Sequence, residues 1–320
     1  MTALGTSFTR WRAEALGLDY RRAFARLCQL GFDVVRLSAS WREVHNQGYQ
    51  HLDWLIRHAE DAGQPVVLTV GMKALGWPEF YLPDGFNPRD VLVQRQALDH
   101  VRGVVARYQG RSNLIAWQIE NEPFNRSGPQ GLWIPRTVVR REANVVRDLD
   151  DSRPLAVTTF AHFDGGLDRA STRHQSKWRH RLGLAIPAER EALTILRRSD
   201  ILGVDVYRSI IWADDSGTER LSRARPDQLE WVRRWQRIAT SQGKRFWVTE
   251  AQAEPWEPRR ASQVDPITIQ PRDVGSLVAA LTGIGIETIL LWGSEYWLWR
   301  EQEGDGRWID GLALGRGALV

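Results

Sequence analysis

Eight short apolar runs recur along the 320-residue chain, and most are separated by longer segments of helical period. The runs are Leu4–Phe8, Val34–Leu37, Val66–Val70, Ile115–Ile119, Leu155–Thr159, Ile201–Val206, Phe246–Thr249 and Thr288–Trp292. They are near-continuous rather than alternating, the pattern of parallel strands covered on both faces. The segments Tyr20–Leu30, Leu52–Ala62, Val91–Tyr108, Thr137–Asp148, Glu189–Arg197, Leu229–Ser241 and Val274–Gly283 supply the crossovers, with Leu52, Leu55, Ile56 and Ala59 marking one buried stripe. Gly31, Gly63, Gly243 and Gly285 fall where helices must stop before the next strand. Eight strands with helical crossovers predict one (β/α)₈ TIM barrel over residues 1–320. The eighth helix is expected to be short or absent, because only about twenty-odd residues follow the last strand.

The spacing is lopsided. Long loops follow the strands at 71–87, 124–135, 161–187, 208–226 and 251–271, while the loops after the helices hold a few residues each. In a barrel the strand-following loops all rise from the C-terminal face, where such folds build their sites. Two acids occupy the tips of well-separated strands: Glu122 in WQIENEPF and Glu250 in RFWVTEAQAEPW. Placed across a barrel mouth, one carboxylic acid can protonate a leaving oxygen while the other attacks the anomeric carbon of a sugar. Strand alternation places Gln118, Glu120 and Glu122 on one face, so Glu120 is expected to point inward beside Glu122 and raise its proton affinity.

These motifs resemble clan A of the retaining glycoside hydrolases, the (β/α)₈ enzymes that include families 1, 5, 39 and 42. The resemblance implies that Glu122 is the acid/base, Glu250 the nucleophile, and Asn121 the holder of the sugar 2-hydroxyl. It further implies that Arg36 in VVRLSASW and Tyr207 in GVDVYR orient Glu250. Physically, Arg36 brings a permanent positive charge to a carboxylate that must attack as an anion. Trp292 in LLWGSEYW matches the tryptophan beneath the sugar, and Glu295 resembles an acid that grips sugar hydroxyls. Sixteen tryptophans supply flat faces for sugar C–H bonds, and Trp77, Trp292 and Trp297 are the expected sugar contacts. Two places depart from the clan's patterns. Asp205 stands where family 5 has histidine, and TEAQ replaces the family 1 TENG.

The reading is therefore a retaining β-glycosidase acting on a terminal sugar, with an endo-β-glycanase or a non-catalytic carbohydrate-binding barrel as alternatives. No cofactor and no metal site is expected. The chain has no GxSxG, P-loop, complete GxGxxG or HExxH, and a single cysteine, Cys28. A net charge of +4 over this length predicts no nucleic-acid partner. No apolar run reaches the roughly 20 residues of a membrane span. The N-terminus lacks a basic-then-apolar leader, which predicts a cytoplasmic protein, or a secreted one if a leader has been trimmed. The sequence does not set an oligomeric state.

Overall fold

In the computed structural model, residues 2–317 are described apart from 77–78, 127–130, 161, 164–185, 214–216 and 258–265. Eight parallel strands close into a barrel: β1 (Ala3–Ser7), β2 (Val34–Ser38), β3 (Val66–Val70), β4 (Leu114–Ile119), β5 (Leu155–Thr159), β6 (Ile201–Val206), β9 (Arg245–Gln252) and β10 (Thr288–Trp292), with β10 back against β1. All eight predicted strands are present. The helices outside them include α1 (Arg10–Ala15), α2 (Tyr20–Gln29), α3 (Trp41–Gln47), α4 (Gln50–Asp61), α5 (Val91–Tyr108), α6 (Arg136–Leu149), α7 (Ala188–Leu193), α8 (Gln228–Ser241) and α9 (Pro271–Gly283). The expected stripe is the one that packs inward: Leu52, Leu55, Ile56 and Ala59 are the buried residues of α4. Gly31, Gly63, Gly243 and Gly285 all adopt positive φ as the chain leaves a helix, a conformation glycine enters without steric cost.

The eighth helical segment is present but broken. Helix α10 (Ser294–Gln302) follows β10 directly, and α11 (Arg307–Gly317) packs against α9. The sequence reading also missed an antiparallel hairpin, β7 (Ser209–Ala213) with β8 (Glu219–Arg223), inside the loop after β6.

The barrel interior is layered. Val34, Val67, Ala116, Ala156, Ile201, Trp247 and Leu290, one from each of seven strands, form an apolar floor. The eighth strand contributes Gly5 at this level, where a Cβ would lie 2.4 Å from the Val34 carbonyl oxygen and 2.7 Å from Leu290 Cδ2. Two residues further along six of the eight strands the inward positions turn polar: Ser7, Arg36, Thr69, Gln118, Thr158 and Thr249 are all buried. An apolar plug thus closes the N-terminal end, and polar groups accumulate toward the C-terminal mouth.

Candidate active site

Glu122 and Glu250 reach the mouth by two different breaks in strand geometry. β4 ends at Ile119, and the next residues do not continue its alternation. Glu120 and Glu122 adopt positive φ, 58° and 44°, on either side of Asn121. Such conformations cost a non-glycine residue of order 1–3 kcal/mol each and persist only where the surroundings enforce them. Their effect is to separate the two acids. Glu120 turns away from the mouth, and its carboxylate accepts from the backbone N–H groups of Met72 (2.9 Å) and Lys73. The approach is so close that a Cβ on Gly71 would lie 2.4 Å from the Glu120 carboxyl carbon. Beyond it lies buried Glu142 of α6, whose carboxyl is pushed well up by burial and then by Glu120's charge. The expected inward pairing of Glu120 with Glu122 is therefore incorrect, because the backbone leaves the pleat one residue earlier.

At Glu250 the break is a bulge. Against β6, the pairing steps from Val204 with Val248 to Asp205 with Glu250, so one residue of β9 is extra. The shift lets consecutive residues face inward: Thr249, whose hydroxyl donates to Asp205 Oδ1 at 2.6 Å, and Glu250 itself. Strict alternation from Trp247 through Thr249 would have aimed Glu250 at the helices. Gly203 makes room, since a Cβ there would sit 2.6 Å from Thr249 Oγ1.

Both Glu250 oxygens are engaged. Arg36 donates from Nη2 to Oε1 and Tyr207 donates its hydroxyl to Oε2, each at 2.7 Å. Arg36 is fully buried and its other nitrogens are also spoken for, Nε to Ser7 Oγ (2.9 Å) and Nη1 to Gln118 Oε1 (3.1 Å). Gln118 in turn donates to Asn121 Oδ1 (3.2 Å) and to the Glu120 carbonyl (2.9 Å). An unbroken set of hydrogen bonds therefore links Glu250 to Asn121 through Arg36 and Gln118. Burial pushes the Tyr207 phenol well above its ordinary value, and the charges of Glu250 and Asp205 add to it.

Glu122 is 4% exposed and Glu250 5%. Carboxylate oxygens of Glu122, Glu250 and Asp205 all lie within 4.8 Å of one another. Burial, then the charges of Glu79 and Glu250, push the Glu122 carboxyl up to about 8. Among the described residues this acidic trio is the one grouping close enough to hold a metal ion. Its donor set argues against a cation, because Glu250 already accepts from a permanent guanidinium and a phenol.

Lys73 was not singled out by the sequence, although it is one of only three lysines among 43 basic residues. It is 0% exposed, and its ammonium has three acceptors: Glu79 (2.6 Å), the Glu122 carbonyl (2.7 Å) and the Asn125 carbonyl (3.2 Å). Three protons on a compact head meet three oxygens, a match the planar arginine fork does not offer. Asn125 then donates from Nδ2 to Glu122 Oε2 at 3.0 Å. Asp205 and Gln118 are further residues of the site that sequence reasoning did not nominate. The one signal available was Asp205's departure from the family 5 histidine.

The aromatic expectations divide. Trp292, at the end of β10, is buried in a cluster with Leu75, Phe163, Tyr207 and Ile210, and the Arg12 guanidinium lies 4.7 Å over its ring. Trp297 falls elsewhere. It is 0% exposed, packs against Phe32 and donates from Nε1 to the Ala253 carbonyl at 2.6 Å, so it belongs to the core and not to the mouth. Glu295 is held by Thr9, whose backbone and hydroxyl both donate to Oε1, and faces Arg12 at 3.4 Å. Its carboxylate is thus committed to protein partners, where the resemblance implied a grip on sugar. Trp77 lies outside the described residues.

No family model matches the sequence, and no curated protein matches it. Solved structures do. The β-galactosidase of the haloarchaeon Halorubrum lacusprofundi aligns over 91% of this chain with a TM-score of 0.56 at 13% identity. The chain spans 52% of that protein's length. An exo-β-1,4-mannosidase from Opitutaceae bacterium strain TAV5 aligns over 100% of this chain and 60% of its own, with a TM-score of 0.60 at 12% identity. A family 1 β-glucosidase from Thermotoga maritima covers 92% of this chain and 88% of its own, with a TM-score of 0.55 at 11% identity. At such identities the likeness is one of fold, and it places this chain among the (β/α)₈ barrels.

Proposed function

We propose that this chain is a retaining β-glycoside hydrolase in which Glu250 is the nucleophile and Glu122 the acid/base. One observation carries the reading: two buried carboxyls, with an oxygen of each within 4.8 Å of an oxygen of the other, held in unlike environments. Retaining enzymes place their carboxyl groups about 5–5.5 Å apart, whereas inverting enzymes need roughly 6.5–9.5 Å to seat a water. Glu250 receives two hydrogen bonds, from Arg36 and Tyr207, and is the anion of the pair. Glu122, with its proton affinity raised to about 8, holds a proton at neutral pH.

In the first step Glu250 attacks the anomeric carbon, the glycosidic bond breaks, and Glu122 gives its proton to the leaving oxygen. In the second, Glu122 as carboxylate takes a proton from water, whose oxygen displaces Glu250 from the sugar. In this reading Asn121 holds the 2-hydroxyl and Trp292 lies at the sugar face, the roles that the resemblance implies for them. Action on a terminal sugar is supported by the loops. The hairpin after β6 is tied to the loop after β9, with the Ile211 N–H donating to the Trp256 carbonyl (2.9 Å) and the Ser209 hydroxyl to that of Thr268. Such a wall on one side of the mouth favours a pocket over an open cleft.

The test is a screen of aryl β-glucoside, galactoside, mannoside, xyloside and fucoside alongside polysaccharides, with NMR of the first-formed sugar. Release of the β anomer from an aryl β-glycoside is expected. An α product would overturn the mechanism, and carbohydrate binding without turnover would favour the non-catalytic barrel.

A further inference from the structure

Three carboxyls meet at the mouth, and the mechanism above uses two. Asp205 is 0% exposed and sits beside Glu250 in the β6–β9 pairing, inside the barrel. Its Oδ1 accepts from the Thr249 hydroxyl at 2.6 Å, while its Oδ2 receives no hydrogen bond among the described residues. Carboxylate oxygens of Glu122 and Glu250 lie within 4.8 Å. A buried carboxylate oxygen left without a donor is costly, unless that oxygen itself carries the proton.

Counting charges makes the same point. The groups that face Asp205 are Glu250 and Thr249 of β9, Tyr207 just past the end of β6, Glu122 from the segment after β4, and Arg36 of β2 beyond Glu250. Lys73 lies behind the Glu122 carbonyl and is matched by Glu79. One guanidinium therefore faces three carboxyls. If Glu250 is the anion paired with Arg36 and Glu122 carries the catalytic proton, a third, ionised carboxyl would remain unmatched in a buried site.

Resting on the glycosidase reading, we propose that Asp205 is a positioning residue that stays a neutral carboxylic acid through the cycle and donates a hydrogen bond to Glu122. No proton is gained or lost by Asp205 in either step. Its O–H stabilises the carboxylate that Glu122 becomes after protonating the leaving group, and yields when Glu122 recovers a proton from water. Burial, then the charges of Glu250 and Glu122, push the Asp205 carboxyl well above the ordinary range, in keeping with this role.

Two measurements test the proposal, and the first needs no substrate. In protein labelled with ¹³C at the aspartate carboxyls, the Asp205 resonance is assigned by its loss in Asp205→Asn. It should keep the chemical shift of a protonated acid well past the value of about 3.9 at which free aspartate titrates. A carboxylate shift at neutral pH would overturn the proposal whether or not the chain cleaves glycosides. The second is the pH dependence of kcat/KM on the best aryl β-glycoside. Asp205→Ala removes a donor to the Glu122 carboxylate, so kcat should fall roughly ten- to hundredfold and the alkaline limb should move to higher pH. Asp205→Asn keeps an N–H donor, so it should recover part of that loss with the limb near its original position. A limb that moves to lower pH in Asp205→Asn would mean that Asp205 had been ionised and would refute the assignment. If the parent protein turns nothing over, the function falls, and the resonance still decides the protonation state.

Discussion

Replacing Lys73 with methionine removes the ammonium that contacts Glu79 and Glu122's carbonyl while keeping most of the apolar stem. The side chain is fully buried and donates to Glu79, the Glu122 carbonyl and the Asn125 carbonyl. Breaking a buried ion pair by removing one partner costs about 3–5 kcal/mol. The electrostatic part has a ceiling, because Glu79 can escape by taking up a proton. At pH 7 this costs about 3.7 kcal/mol for a carboxyl that ordinarily titrates near 4.3, and at pH 5 only about 1 kcal/mol. Lys73→Met should therefore lose about 4 kcal/mol of stability at pH 7 and recover most of it at pH 5. Urea unfolding at the two pH values measures the difference. Adding Glu79→Gln to Lys73→Met should restore much of the stability at pH 7, since the charge that Lys73 balanced is gone. An equal loss at both pH values, or strict additivity of the two substitutions, would refute the reasoning. The variant should also raise Glu122's proton affinity further, because Lys73's charge lowers it.

Activity should fall as pH rises through about 8, where Glu122 loses the proton it must donate, and Glu122→Gln should abolish that limb on dinitrophenyl glycosides, which need no protonation; a pH–rate profile checks both. In Glu250→Ala, azide should restore turnover and give an α-glycosyl azide, whereas rescue of Glu122→Ala by azide with an α product would mean reversed roles. Tyr207→Phe deletes one 2.7 Å hydrogen bond to Glu250 and should slow the glycosylation step roughly ten- to hundredfold in single-turnover measurements. Glu142's proton affinity is raised on folding, so its stabilising share is complete below about pH 4.3 and is lost as pH rises through the folded value. Glu142→Gln should accordingly flatten the decline of unfolding free energy with pH above that point, as chemical denaturation at a series of pH values would measure.

Much of the barrel was legible because its signals are local. A strand buried on both faces must be apolar throughout, so Val66–Val70, Leu155–Thr159 and Ile201–Val206 announced themselves to the residue. Glycine at a helix end is likewise a one-residue requirement, and Gly31, Gly63, Gly243 and Gly285 marked their stops. The hairpin at 209–213 and 219–223 was missed because its second strand, ERLSR, is mostly exposed and carries no apolar run.

Acids at two strand tips are local signals, and they brought Glu122 and Glu250 forward; the motif resemblance then added Arg36, Asn121 and Tyr207. Only the tertiary structure decided which way they and their neighbours point. Glu120 turned outward because two positive-φ residues broke the pleat, and Glu250 turned inward because β9 carries an extra residue against β6. A period-2 reading cannot foresee either, since one residue of slip exchanges the two faces of a strand. Trp297 and Glu295 were drawn into protein contacts by the close return of the last helices onto the barrel. Asp205 and Lys73 took on meaning only when closure brought β6 beside β9 and β3 beside β4, because a buried charge is defined by its neighbours and those neighbours are remote in sequence.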